Sequence, residues 1–493
     1  MPPPSFSSQS SFQVHAPRGT VAFLKEATQA VYAHLQKGSD GGAAWTALQA
    51  LLADLHLDTD MSDPEWIHAP EPERSGACES IAERLHVDLI DMHGGADAAC
   101  MLRVVEQAAI LLGPGRLIAH WAQALVFPAL SQSHALSYAD VARAHRLCVY
   151  MMLSVPLEVY DGVQDTHAYR RDVSPASDAA LAFTQSVFML YAEGPVPGRH
   201  PALASLDTIL SMYSETRPTP FLHHVALTLS PTCTHLLHAL ILFLQRHTMH
   251  TYHITSTCLL EELLALLVTL DDATVLEEGI KCLVMILPHV PYWLSRSEPN
   301  KLPALFRLYA HVVTVFVHAN EHVRLLFSTV YGLFPGVFLW FLRAPDACLA
   351  HLGDSVPWDE NDTLPLQRGS DIYLEHHLVH PQLAKHEPAS DEPAGRMWQH
   401  SDPADLLAMC QRLYVPTTSI PDRDVPLPMA DESGDVRLRS EWRFELYMRE
   451  QLLMHIGCLH RDRIAGTAEE EQQQQLQDTN RMLRTQLQTL QAH

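Results

Sequence analysis

Apolar residues recur with a helical period along nearly the whole chain, and no sustained alternation of strand type interrupts them. Examples are Val21, Leu24, Val31 and Leu35, then Trp45, Leu48, Leu51, Leu52 and Leu55, and later Val104, Val105, Ala108, Leu111 and Leu112. The pattern is strongest in the middle, where residues 231–245, 254–270, 275–287, 302–317 and 323–334 each predict a buried or half-buried helix. Ser230 and Pro231 make a cap and first turn, Pro288 and Pro291 close one helix, and Pro299 with Asn300 opens the next. Helices joined by short proline-containing turns over several hundred residues predict an all-α fold of stacked helical pairs. No repeat has a clear sequence period, so the expected architecture is a degenerate HEAT-like α-solenoid.

Polar stretches divide this pattern. Residues 1–18 are rich in Pro and Ser and read as a disordered N-terminus, which leaves 19–415 as one helical-repeat domain. Within it, 353–370 is polar and acidic and reads as an inserted loop, and a last short helix is expected over 403–413. Residues 416–440 hold prolines and acids and read as a linker. After the linker, 441–464 lacks proline and places Trp442, Leu446, Leu453 and Ile456 near one helical face. Leu476, Asn480, Leu483, Leu487 and Leu490 then alternate by four and three, the seam of a coiled coil at its start. So short an apolar stripe cannot be buried within its own helix, and it predicts pairing with another one.

Composition narrows the function. The 57 acidic against 33 basic residues give a formal net charge of -24, which excludes general nucleic-acid binding. The nine cysteines contain no closely spaced pair, the usage of a reducing compartment, and the first ten residues, without a charged start or an apolar run, do not read as a secretory signal. The uncharged run Leu325–Leu342 has the length of a marginal membrane span, yet Gly332, Pro335 and Gly336 sit in its middle and suit a buried helix-turn-helix better.

Candidate chemistry is sparse. The clusters His247, His250, His253 and Glu375, His376, His377, His380 invite a metal-site reading, but a spacing of three drifts around an α-helix, and ordinary surface or core histidines are the expectation. No Gly-x-Ser-x-Gly elbow, P-loop or His-Glu-x-x-His motif is present, so neither catalytic residue nor cofactor is expected. Gly113-Pro-Gly begins like a dinucleotide loop but lacks the third glycine, and it reads as a helix-breaking turn. Arg296, Lys301, Arg307, Arg324 and Arg343 form a candidate patch for anionic lipid headgroups, against the plainer reading of solvated charges at helix ends.

Several blocks carry a family resemblance. The segment 330–343, with Tyr331, Gly332, Phe334, Pro335, Phe341, Leu342 and Arg343, resembles the hamartin pattern of Tyr-Gly, an aromatic residue and Pro before an apolar turn that ends in Phe-Leu-Arg. Upstream, 273–291 is similar to the family helix that closes on Leu-Pro-x-x-Pro. Downstream, Leu378-Val-His-Pro-Gln-Leu resembles the family's His-Pro-x-Leu, and Trp398 with Asp402 fits the segment that follows. Residues 445–463 resemble the helix that leads into the family's coiled coil, which runs far longer than the residues here; Val337 stands where family members usually carry Asn.

The resemblance implies a non-enzymatic scaffold. It implies self-association, contact with phosphoinositide membranes, and a coiled coil that holds tuberin, the GTPase-activating subunit acting on Rheb. The chain would then restrain TOR signalling from the cytoplasm and the lysosomal or vacuolar surface. A helical-repeat trafficking or signalling adaptor with unrelated cargo is the alternative.

Overall fold

In the computed structural model the described residues are 76–93, 97–131, 136–155, 175–193, 203–231, 234–296, 301–316, 318–379, 398, 401–415 and 441–456. Their regular elements are helices, with one isolated antiparallel bridge between His377 and Tyr414. The fold is all-α and solenoid-like, as the periodicity predicts. The stretch read as a single domain divides into two compact units, one formed by residues up to Phe243 with Ser256–Glu262, the other by Leu244–Thr255 and residues from Leu263 on.

In the first unit, α1 (Gly76–His93) and α2 (Ala98–Leu112) are followed by Gly113, whose φ of 76° lies in the region glycine adopts without steric cost. Pro114 restarts the chain in α3, a rod of three pieces, Pro114–Arg116, Leu117–Val126 and Phe127–Ser131. Its middle ten residues are π-helical, and the wider turn packs fully buried Trp121 with its indole N–H on His86 Nδ1 at 3.3 Å. Then come α4 (Tyr138–Leu153), α5 (Pro175–Glu193), α6 (Leu203–Thr216), α7 (Pro218–Thr228) and α8 (Thr234–Arg246). Phe188 joins them, with ring centroids 5.7 Å from Phe221 and 5.2 Å from His224. Buried Glu106 on α2 receives Arg143 at 3.2 Å and Arg146 at 2.6 Å from α4, so its charge is compensated from the neighbouring helix.

A 3-10 segment (Thr248–Ser256) and α9 (Leu259–Val268), of which Ser256 and Leu259–Glu262 belong to the first unit, lead to the further helices of the second: α10 (Ala273–Ile286), α11 (Pro291–Arg296), α12 (Leu302–Val315), α13 (Glu321–Leu333), α14 (Pro335–Arg343), α15 (Pro345–His351), α16 (Glu360–Leu374) and α17 (Pro403–Arg412). Residues 441–456 form a further helix, α18. Caps follow local chemistry: Asp272, Asn320, Asp359 and Asp402 each accept a backbone N–H at a helix start. One reading is corrected here. The stretch 353–370, read as an inserted loop, is helical from Glu360 onward, because Leu366, Ser370 and Tyr373 face inward at helical spacing and Ser370 Oγ meets Tyr309 OH of α12 at 3.1 Å. Gly369 lets α16 approach α12, since a Cβ there would stand 3.0 Å from the Val313 carbonyl oxygen.

No single helix among the described residues is long and apolar enough to cross a membrane. The pair α13 and α14 passes by length and composition together but bends by 117°. Leu326, Phe327, Val330, Phe338 and Phe341 of that pair are fully buried.

Candidate functional site: the helix docked on the α13 hub

The segments that carry the family resemblance are far apart in sequence, and the second unit gathers them around α13. Tyr331 donates its hydroxyl hydrogen to the Leu378 carbonyl at 3.0 Å. Three residues earlier on the same face, Ser328 Oγ lies 2.7 Å from His377 Nε2, whose Nδ1 is 2.7 Å from the Tyr373 carbonyl. Burial holds the His377 pKa below its ordinary value. Nδ1–H donates to that carbonyl, and the Ser328 hydroxyl, which also reaches the Arg324 carbonyl at 2.8 Å, lies against Nε2.

Gly332 is where α17 crosses α13. A Cβ at that position would lie 2.4 Å from Cys410 Sγ and 2.9 Å from Cys410 Cα, so only glycine allows the approach. Phe334 packs edge-on against Trp398 at 5.1 Å, and Pro335 opens α14 at the bend. Phe341 stacks on Phe306 at 5.0 Å and meets Trp358 at 5.7 Å, while the Leu342 carbonyl accepts from Gln367 at 3.4 Å. Arg343 Nε returns to the Leu339 carbonyl at 3.2 Å. Each motif residue therefore has a packing or hydrogen-bonding task.

α18 lies on this hub through one face. Phe444, Tyr447, Met448, Gln451 and His455 are buried, at spacings of three and four. Tyr447 donates to the Met285 carbonyl at 3.1 Å, tying the helix to the α10 end where Pro288 follows. At its start, Glu441 lies 2.5 Å from Lys281 Nζ and 3.1 Å from His322 Nε2. Lys281 is wholly buried and also pairs with buried Glu278 at 3.0 Å. Burial alone would push the Glu441 carboxyl up, but hydrogen bonds from His322 and Lys281 outweigh it and hold the pKa at about 2. Burial likewise opposes the ammonium form of Lys281, and the two carboxylates more than offset it, raising its pKa. At the far end, His455 Nε2 accepts from Arg412 at 2.7 Å and Nδ1–H donates to Asp405 at 2.6 Å.

A scan for known domains matches residues 208–424 to "Hamartin, N-terminal domain". That span holds most of α6, all of α7 to α17 and every hub residue except those of α18. Over that span the chain is similar to the hamartin N-terminal domain. Hamartin of Mus musculus is 24% identical over 275 residues, covering 50% of this chain and 22% of that protein. Hamartin of Homo sapiens is 24% identical over 267 residues, covering 48% and 21%. The chain thus spans about a fifth of the length of the curated hamartins it matches. Among solved structures, "TSC1 N-terminal domain" shares the fold with a TM-score of 0.51 and 17% identity, over 79% of this chain and all of that one. "Structure of TSC1 NTD and linker domain" gives 0.51 and 16%, over 88% and 98%.

The five candidate lipid-binding cations have separate surroundings. Arg307 pairs with Asp354 at 2.7 Å, donates to the Val356 carbonyl and lies over Trp358. Arg324 pairs with Glu321 and stacks 4.2 Å over Tyr414. Lys301 lies 6.0 Å over Trp293, Arg296 is exposed at the end of α11, and Arg343 binds its own helix. Two of the five are therefore neutralised by acids of their own neighbourhood.

Among the described residues, no group of three or more His, Cys, Asp or Glu is arranged to hold a metal ion. His250 and His253 share a face, because a 3-10 turn of three residues eclipses what an α-helix would spread, while His247 stands just before that segment. The His250 and His253 rings lie 5.7 Å apart and nearly parallel, a stack and not a convergence of nitrogens. His380 and the seam Leu476, Asn480, Leu483, Leu487, Leu490 lie outside the described residues. What sequence reading missed was the pair Lys281 and Glu441: one of only five lysines, placed within an apolar helix, was the available signal.

Proposed function

We propose that the chain is a non-enzymatic scaffold that holds and stabilises a tuberin-like GTPase-activating partner, and so contributes to inactivating Rheb and restraining TOR signalling. The observation that carries this reading is the hamartin N-terminal domain match over the residues that build the hub. The hub supplies support of a physical kind: its buried Lys281 and Glu278 neutralise each other and position α18, the use of charge expected in a rigid scaffold. The partner contact belongs to the seam of Leu476, Asn480, Leu483, Leu487 and Leu490, with self-association of the chain as a second part of the reading. Peripheral contact with phosphoinositide-bearing lysosomal or vacuolar membrane is the third, with Arg296, Lys301, Arg307, Arg324 and Arg343 as the cations to test.

Affinity capture of the tagged chain from its own cells, read by mass spectrometry, tests the first part. A tuberin-like protein is retained by the full chain and lost when the chain is cut after Ile456, a truncation that leaves the docked helix in place. Failure to retain it, both here and in a version extended through a longer coiled coil, overturns the reading in favour of an adaptor with other cargo.

A further inference from the structure

α1 packs on α2 and is joined to α3 by side chains, the Glu79–Arg116 ion pair at 2.5 Å and a cluster of three histidines around one tryptophan. His86 and His93 stand two turns apart on α1, and His120 and Trp121 are neighbours on the π-helical part of α3. The His120 ring is centred 6.0 Å from His86, 6.5 Å from His93 and 5.0 Å from Trp121, and the His93 ring is 5.6 Å from the indole. Trp121 is fully buried and the three histidines are half-buried.

One hydrogen bond decides the chemistry of this cluster. An indole N–H can only donate, so the 3.3 Å contact from Trp121 Nε1 to His86 Nδ1 requires a lone pair on that nitrogen and puts the His86 proton on Nε2. A second proton would have to go onto Nδ1, pointing at the indole N–H, so protonation of His86 and this bond exclude each other. His93 Nδ1 and His120 Nε2 are buried without a hydrogen-bond partner, and an imidazolium at either position would bury an N–H that has no acceptor. The surrounding charges add no support for a cation. Arg116 and His120 act on His86 from α3, and the one carboxylate at that end, Glu79, is engaged by Arg116. Glu83, Arg84, Asp88 and Asp91 of α1 and Asp97 and Arg103 beside it on α2 are exposed, while buried Glu106 of α2 is held by Arg143 and Arg146. Burial first, and then His120 and Arg116, lower the His86 pKa.

We propose that this cluster is a pH-sensitive latch, which fixes α1 to α3 while its three histidines are neutral and releases α1 when they take up protons. The rings lie close enough for one charge to oppose the next as long as the latch is closed, and release into water removes that opposition for all three at once. The latch is closed above the ordinary histidine value of about 6.5 and opens as pH falls below it, because the open state binds protons more tightly. It is independent of the partner proposed above.

Hydrogen exchange of the full chain at pH 7 and pH 5, corrected for the intrinsic pH dependence of amide exchange, tests it. Protection over residues 82–91 should fall about tenfold or more at the lower pH, and by more than that of α7. His86→Asn keeps an acceptor beside the indole that cannot be protonated, and should remove most of this fall. His86→Leu leaves the buried indole N–H without an acceptor, and should weaken the protection of α1 already at pH 7. Unchanged protection of α7 at pH 7 in both variants shows that the unit is still folded. An α1 that keeps its protection at pH 5, one that loses it only in step with α7, or a His86→Asn chain that responds like the unaltered one would each overturn the inference.

Discussion

Both units bury histidines, but they use them differently. Around α13, His322, His377 and His455 each bridge two elements through a named hydrogen bond, to Glu441, to Ser328 and to Asp405. In the first unit, His120 Nε2 and His145 Nε2 are buried without a hydrogen-bond partner, and His86, His120 and Trp121 meet edge to edge as rings. The hub employs polar groups to fix which segment lies where. The first unit employs the same residue type chiefly as a packing ring, and burial lowers the pKa of His86 and His145.

The largest test of this contrast is Lys281→Met. It leaves Glu278 buried without its cation and should cost ~3–5 kcal/mol, measured by chemical denaturation, with earlier hydrogen exchange across α18. Adding Glu278→Leu should recover part of the loss, because the fully buried carboxylate is removed with its cation and only part-exposed Glu441, which keeps His322 beside it, loses a partner. Full stability of Lys281→Met alone would show that the buried pair does not anchor the hub.

Gly332→Ala is expected to cost ~1–3 kcal/mol, because α17 must shift away from α13. Cys410→Ala on that background should restore only part, since the Cys410 Cα, at 2.9 Å, remains in the way.

Acidification separates the units by pH. Burial, aided by Arg146, lowers the His145 pKa to about 4, and burial, aided by His223, lowers that of His224 to about 3. A histidine whose folded pKa lies below its unfolded value of 6.5 takes up protons preferentially when unfolded. Its share of stability is complete above that value and is lost as pH falls toward the folded pKa. His86, His223 and His235 are lowered too, also chiefly by burial, and add to the effect in the first unit. In the hub, His289 and His377 act in the same direction, while Glu441, held at about 2, keeps its pairing down to strongly acid pH. Hydrogen exchange between pH 7 and 5 should therefore show the first unit loosening more than α18. The opposite order would mean that the histidine contacts at the two ends of α18 govern acid sensitivity.

The smallest effect is Tyr447→Phe, which removes one hydrogen bond to Met285 and should cost ~1 kcal/mol while leaving the apolar packing intact.

Much of this was legible in the chain. Helical periodicity and proline turns gave the bounds of α10, α12, α13 and α17 to within a few residues, because local backbone preferences set helix ends. The order of the motif blocks pointed to residues that do meet, Tyr331 with the segment at Leu378 and Phe334 with Trp398. The polar look of 353–370 misled, since Leu366 and Tyr373 show their helical register only when α12 is there to receive them. The division near residue 243 was equally hidden, because it depends on contacts between helices and not on their composition.

Sequence alone thus determined the helical class, the motif blocks and the amphipathic nature of α18. It did not determine which face of α18 turns inward: Trp442, Leu446, Leu453 and Ile456 form the more apolar stripe, yet Phe444, Tyr447 and Met448 are the ones buried. Tertiary structure decided that, because Lys281, His322 and the Met285 carbonyl lie where Glu441 and Tyr447 reach them, and satisfying buried polar groups outweighs burying the last exposed apolar side chains.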